Sequence, residues 1–487
     1  VKPRWNLLGK YMLAAATVAA IPVGVWAVLN HHGRVWTVGL IGVLALIIGV
    51  YIGLQHPLWL YWGLAVVMGA LPFGYVPGVH APLYLVFVAG VLLAALIHTT
   101  DRSSLSKLEV ALLLLILAAG VSVVATGVSL GALMLYTKWT IATLAVIALL
   151  RLSRENLARF GRIFVCAATV NAIAGIAMAT VDQQQRLLKP LKIFGYGVGA
   201  ELRQQTQLYV YTDQGATIGR TIRLGGTWVL PNSAGLALVI ALVMSLVLFR
   251  GWARAIIALI LAVALGLTLS RSMIFSVAAG LLVVLLFHAM RSRDRQIAIA
   301  VIGAAVATVF LIPSLRERLL SSFNGSDTGR SARADSLEQL PRQMSGHWIF
   351  GLGWNRPEFK SGQLAQQVNY PSNVPLLTLY RGGIITALLL VAVLVIGCVL
   401  AYRAMRSPSL PDAVFGGAFI GVAVVSSNLQ QSIVDMPQMT LTFSIFLAFL
   451  VYVDQSRSLP QDESQSRDLA QQEGVDQRSR PIDVGGR

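Results

Sequence analysis

Arg271 stands in Leu267-Thr268-Leu269-Ser270-Arg271-Ser272, at the junction of two strongly apolar runs. A charge at membrane depth costs about 2.5–3.5 kcal/mol on insertion scales, so such residues are usually paired or functional. The structural alternative is snorkelling to the interface. Arg220 and Arg223 lie in Gly219-Arg220-Thr221-Ile222-Arg223-Leu224-Gly225-Gly226-Thr227-Trp228-Val229-Leu230-Pro231-Asn232. Proline in a first helical turn is a normal helix start. The free N–H groups of that turn favour an anion, and two arginines three apart could flank it. A plain loop ahead of a proline-started helix fits the same residues. Guanidinium matches phosphate through paired hydrogen bonds, so the chemistry these arginines suggest is binding of a phosphorylated ligand.

A second set lies further along. Gly329-Arg330-Ser331-Ala332-Arg333-Ala334-Asp335-Ser336-Leu337-Glu338-Gln339-Leu340 reads as an amphipathic helix, with Leu337 and Leu340 on one face and Arg333 on another. Gly346-His347-Trp348-Ile349-Phe350-Gly351-Leu352-Gly353-Trp354 follows, and its glycines imply a tight turn or a close backbone approach. His347 is a candidate general base, or else a turn-stabilising histidine. Trp348, Trp354 and Tyr370 could stack on sugar rings, or act as interfacial aromatics.

These residues must be positioned by a membrane scaffold. Of 487 residues, 56% are hydrophobic and 12% charged. A soluble globular protein carries roughly 25% charged residues, so a soluble enzyme, a disordered chain and a single-pass receptor are excluded. The expected fold is all-α, a polytopic helical membrane protein with about 12–14 transmembrane helices and two long extracytoplasmic segments. Fourteen apolar runs qualify, near 11–30, 36–53, 57–74, 82–98, 108–125, 129–150, 160–181, 228–249, 252–269, 272–290, 297–313, 374–401, 413–428 and 438–453. Only Gln55, His56 and Pro57 separate the second from the third, so that pair could be a broken or re-entrant element. The first run is too long for a signal-peptide core and reads as an uncleaved anchor. Cys166 and Cys398 lie inside apolar runs and make no metal-site spacing.

The net charge of +17 would suggest nucleic acid in a soluble chain. Here its distribution over the two membrane sides explains it. With the N-terminus in the cytoplasm, Arg102 and Lys107, then Arg151, Arg154, Arg159 and Arg162, then Arg250 and Arg254, then Arg291, Arg293 and Arg295, then Arg403 and Arg406 all fall on that side. That is the positive-inside pattern. The expected organisation is N-terminal spans over 1–181, an extracytoplasmic segment over 182–227, central spans over 228–313, a large extracytoplasmic loop over 314–373, C-terminal spans over 374–454, and a disordered cytoplasmic tail over 455–487. Both long outer segments are net positive, which suits an anionic ligand or lipid headgroups.

The arrangement from about 210 to 400 resembles the O-antigen ligase and polymerase superfamily. The motifs that carry it are Arg223, Gly226, Pro231 and Asn232; Leu269-Ser270-Arg271; and Arg333 followed by His347, Gly351 and Gly353. The resemblance implies a bacterial inner-membrane protein with both termini cytoplasmic. It implies a polyprenyl-diphosphate-linked glycan donor and a glycan or glycolipid acceptor, with membrane lipids around it, no nucleic acid, no cofactor and no essential metal. It assigns Arg271 and Arg223 to the diphosphate and His347 to proton removal. Arg220, Arg333, Asn232, Asn373 and Arg381 become substrate-binding candidates. The pattern departs at Ser372, where a histidine is expected, and at Arg381, where an acid is expected. A serine without a base of its own is no proton acceptor near neutral pH. Two readings from other classes stand beside a glycan transferase. One is a transporter or flippase of an anionic lipid-linked substrate, for which Lys138 is the one clear intramembrane ionisable residue. The other is a non-catalytic scaffold of envelope-glycan assembly.

The sidedness is testable with single cysteines in intact cells. An impermeant thiol reagent should label Ser326→Cys and leave Ser464→Cys unlabelled; the reverse pattern inverts the topology.

Overall fold

A computed structural model describes residues 49, 51–77, 81–98, 105–182, 186–196, 223–290, 337–355 and 371–456, with isolated positions between 292 and 316. Among them the chain is helical throughout, with one isolated bridge between Tyr75 and Pro82 in place of any strand. The principal helices are α1 (Pro57–Ala70), α2 (Leu83–Ile97), α3 (Lys107–Ala125), α4 (Leu130–Leu150), α5 (Arg154–Thr180), α6 (Pro231–Leu248), α7 (Gly251–Leu267), α8 (Arg271–Phe287), α9 (Val374–Met405), α10 (Leu410–Gly421), α11 (Ser432–Asp435) and α12 (Pro437–Ser456). Among the described residues seven helices are long and apolar enough to cross a membrane, and α1, α2, α7 and α8 are shorter apolar helices. Eleven of the fourteen apolar runs are therefore helices. The runs at 11–30 and 297–313, nearly all of 36–53, and the 457–487 tail lie outside the described residues.

Polar residues start these helices. Ser106 and Glu109 form a reciprocal capping box on α3. Ser129, Ser153 and Asn373 each accept a first-turn N–H on α4, α5 and α9. Proline opens α1, α6 and α12. His56, at φ −136° and ψ 56°, separates α1 from the helical residues 51–55, so the junction at Gln55-His56-Pro57 is a break.

The helices alternate in direction, and the contacts at their ends define two poles. At one, Glu109 meets Arg151 at 3.5 Å, Arg403 meets Asp454 at 3.6 Å, and the His288 ring nitrogen lies 2.8 Å from the Met405 carbonyl. At the other, the start of α6 meets the start of α8, and the start of α9 meets the end of α3. The middle of the bundle is α6, buried along nearly all its length against α5, α7, α10 and α12. Without a hydrophobic force between helices in lipid, close packing of small residues holds them. Between α8 and α10 a Cβ on Gly280 or Gly417 would lie 2.6 Å from the other's carbonyl oxygen, so the two backbones touch.

α9 is not one helix. Gly383 has φ 76° and ψ −177°, a conformation essentially reserved for glycine. Three backbone groups released by this break find partners. The Tyr380 carbonyl accepts from Leu352 N–H at 2.6 Å, Ile384 N–H donates to the Trp348 carbonyl at 2.8 Å, and the Arg381 carbonyl lies 3.1 Å from Ser122 Oγ. The glycine-rich turn at 346–353 thus fills the break. A Cβ on Gly383 would collide with the Ile349 carbonyl.

Gly383→Ala should therefore destabilise the protein by about 2 kcal/mol or more, combining backbone strain with a clash. Gly266→Ala, where an added methyl meets nothing, is the control. Thermal unfolding of both in detergent should show a large loss for the first and little change for the second.

Candidate functional site

At the pole where α6, α8 and α9 begin, the segment 223–230 is stitched into its neighbours. Leu224 N–H donates to the Leu267 carbonyl at 2.9 Å, and Thr227 N–H to Asn171 Oδ1 at 3.1 Å. Gly226 turns at φ 54° and Trp228 is fully buried. This packing delivers Arg223 to a buried position. Its Nε donates to the Thr268 carbonyl at 2.9 Å and one terminal nitrogen donates to Asn232 Oδ1 at 3.1 Å. The same Asn232 oxygen accepts from Ser270 Oγ at 3.1 Å. Asn232 thereby ties the arginine segment, the start of α6 and the start of α8 together.

Leu269, at φ 50°, turns the chain sharply out of α7 so that Arg271 opens α8. Ser270, its N-cap, makes no side-chain cap, because its hydroxyl is engaged with Asn232 and lies 3.2 Å from Ser272 Oγ. Arg271 is half-buried. The first turn of α8, uncapped by its serine and carrying a guanidinium, has the charge and the N–H groups that suit an anion.

A second cluster adjoins it. Ser233 Oγ lies 3.7 Å from Met436 Sδ, linking α6 to the residue after Asp435. Asp435 Oδ1 accepts from Arg381 at 2.7 Å, and Arg381 also reaches the Val434 carbonyl at 3.4 Å. Arg381 is 2% exposed and its guanidinium lies 5.8 Å from the centre of the Trp354 ring. Asn373 caps α9 through Oδ1 and donates to Asn428 Oδ1 at 3.0 Å. Asn428 and Asp435 belong to a broken stretch in which α10 passes into a π-helical turn at Val422–Ser426 and then into short helices. Such π-turns recur at functional sites.

Residues 256–391 match the family model for O-antigen ligase.

That segment is thus similar to the O-antigen ligase family, in keeping with the motifs read from the sequence. No curated protein matches the chain. The matched residues run from within α7 through α8 to the middle of α9. They include Arg271, His347 and Arg381, while Arg223, Asn232 and Asp435 lie outside them.

Of the residues singled out in the sequence, the structure brings Arg223, Asn232 and the Ser270-Arg271 turn together. It places Arg381 in an ion pair beneath Trp354, and Asn373 at a helix cap. His347 is exposed on the glycine-rich turn, and among the described residues its ring makes no hydrogen bond. Leu340 packs on Met344, Leu352, Leu376 and Tyr380, whereas Leu337 is exposed, so only one of the two leucines faces the protein. Arg220, Arg333 and Tyr370 lie outside the described residues. Asn428 and Asp435 are the additions. For Asp435 a signal existed: a lone acid between two apolar runs, at the same end as a lone arginine entering α9.

Breaking a buried ion pair from one side leaves an uncompensated charge and costs about 3–5 kcal/mol. Asp435→Ala and Arg381→Ala should each unfold at markedly lower temperature. The double substitution Arg381→Met with Asp435→Leu should be much less destabilised than the sum of the two.

Proposed function

We propose that the protein is a membrane glycosyltransferase. It transfers or polymerises glycan from a polyprenyl-diphosphate donor onto an acceptor hydroxyl, at the extracytoplasmic face of the bacterial inner membrane. The observation that carries this reading is Arg271 at the first position of a membrane helix, beside a serine and asparagine that brace it against a second, buried arginine.

The acceptor oxygen forms a bond to the anomeric carbon of the donor sugar while that carbon's bond to the diphosphate breaks. The electron pair leaves with the diphosphate, so negative charge builds there. Arg271 and the first-turn N–H groups of α8 stabilise it, and being held in place beforehand they need little reorganisation. Arg223 acts largely through position. With Nε and a terminal nitrogen spent on Thr268 and Asn232, it holds the α8 start in place and adds its charge to the site. Arg381 likewise serves position, since Asp435 already satisfies it. His347 takes the acceptor proton in this reading, replacing the histidine that Ser372 does not supply.

Glycan transfer and donor binding should be measured separately for each variant at matched expression. Arg271→Ala should lose about 10²–10³ in rate, corresponding to roughly 2–4 kcal/mol of lost transition-state stabilisation. Arg271→Lys should remain severely impaired, because lysine keeps the charge and loses the fork. Asn232→Ala should reduce transfer while the protein still inserts. Near-normal transfer by both Arg271→Ala and Arg223→Ala would remove this reading and favour a scaffold.

A further inference from the structure

The glycine-rich turn presents three consecutive large apolar side chains outward. Trp348 is 41% exposed, Ile349 57% and Phe350 42%. This is not a loose loop tip. The Trp348 carbonyl accepts from Ile384 N–H at 2.8 Å, the Phe350 carbonyl accepts from Ser122 Oγ at 2.6 Å, and Leu352 N–H donates to the Tyr380 carbonyl at 2.6 Å. Backbone hydrogen bonds on both flanks therefore hold an exposed apolar triplet in place.

Two helices give the depth of the turn. At about 1.5 Å per residue α9 is about 48 Å long, well beyond the ~30 Å of hydrocarbon in a bilayer. From Ile384 to Met405 it is about 33 Å, so the part of α9 beyond the Gly383 break spans the bilayer and Val374–Gly382 stands above it. Independently, α3 ends at Ala125, one turn beyond the Ser122 that holds Phe350. Both measures put the turn at the hydrocarbon boundary. Directly below it Ile384, Ile385 and Leu388 continue as the outward apolar stripe of α9.

We propose that Trp348, Ile349 and Phe350 form a membrane-inserted wedge, seated in the leaflet at the Arg271 pole. Trp348 has the amphipathic ring favoured at such interfaces. Ile349 and Phe350 bury in the acyl boundary, and the preceding His347 is held at headgroup height. The wedge fixes the level of the loop relative to the bilayer. It does not depend on which reaction the protein performs.

Single cysteines at Trp348, Ile349 and, as a control, Ser345 would carry an environment-sensitive fluorophore. The background is full-length protein lacking Cys166 and Cys398, reconstituted in phosphatidylethanolamine–phosphatidylglycerol vesicles. Labels at Trp348 and Ile349 should emit to the blue of the Ser345 label. They should lose most of their emission to lipids bearing a nitroxide near the top of the acyl chain and resist aqueous iodide. Quenching by iodide with no response to lipid nitroxide overturns the proposal. Shielding from both quenchers also overturns it, since another span or a second copy would then cover the turn.

Discussion

A guanidinium buried inside a protein leaves behind the water that would otherwise satisfy it, and the protein must supply acceptors in return. Arg223 and Arg381 both meet this demand, in different ways. Arg223 uses a carbonyl freed at the end of α7 and the amide oxygen of Asn232. Arg381 uses a carboxylate and a carbonyl from the broken stretch between α10 and α12. Each solution joins helices that are distant in sequence, so meeting the demand also assembles the pole. The irregular backbone there is what membrane proteins allow only where it is surrounded by protein or lines a cavity.

The same constraint explains the break in α9. An interrupted helix at the hydrocarbon boundary exposes polar groups on each side of the interruption, and these need partners in the protein. The glycine-rich turn supplies an N–H on one side and a carbonyl on the other, and Ser122 supplies a hydroxyl. Turn and break are therefore one unit. Glycines at 351 and 383 are required because each backbone lies where the other's Cβ would be.

Hydropathy made eleven of the described helices legible, because burying or wetting twenty residues at a time leaves a strong signal. It was weaker where a helix continues as a polar one. The run read at 160–181 belongs to a helix that begins at Arg154, since Arg154, Glu155, Asn156 and Arg159 are helical without being apolar. It also missed α11, four residues with little periodicity, and the π-turn ahead of it. In the site, the sequence marked Arg223, Asn232 and Arg271 through unusual residues at span ends, and the structure adds how they connect. That Arg223 faces inward depends on a carbonyl 45 residues away, and nothing local records it. The Arg381–Asp435 pair is as distant in sequence, and its one trace there is a lone acid and a lone arginine at the same end of their spans.

The order in which the chain is made gives that pair a further meaning. Arg381 precedes Asp435 by 54 residues. At about 5–20 residues per second of synthesis, Arg381 emerges roughly 3–10 s before its counterion. During that interval α9 carries, at its eighth residue, a cation whose counterion has not yet been made. The Gly383 break offers a way to wait. The segment from Ile384 onward can settle in the bilayer as an uninterrupted apolar span, while Val374–Gly382 keeps its arginine at the surface. Closure of this part of the pole then waits for the hairpin that carries Asp435.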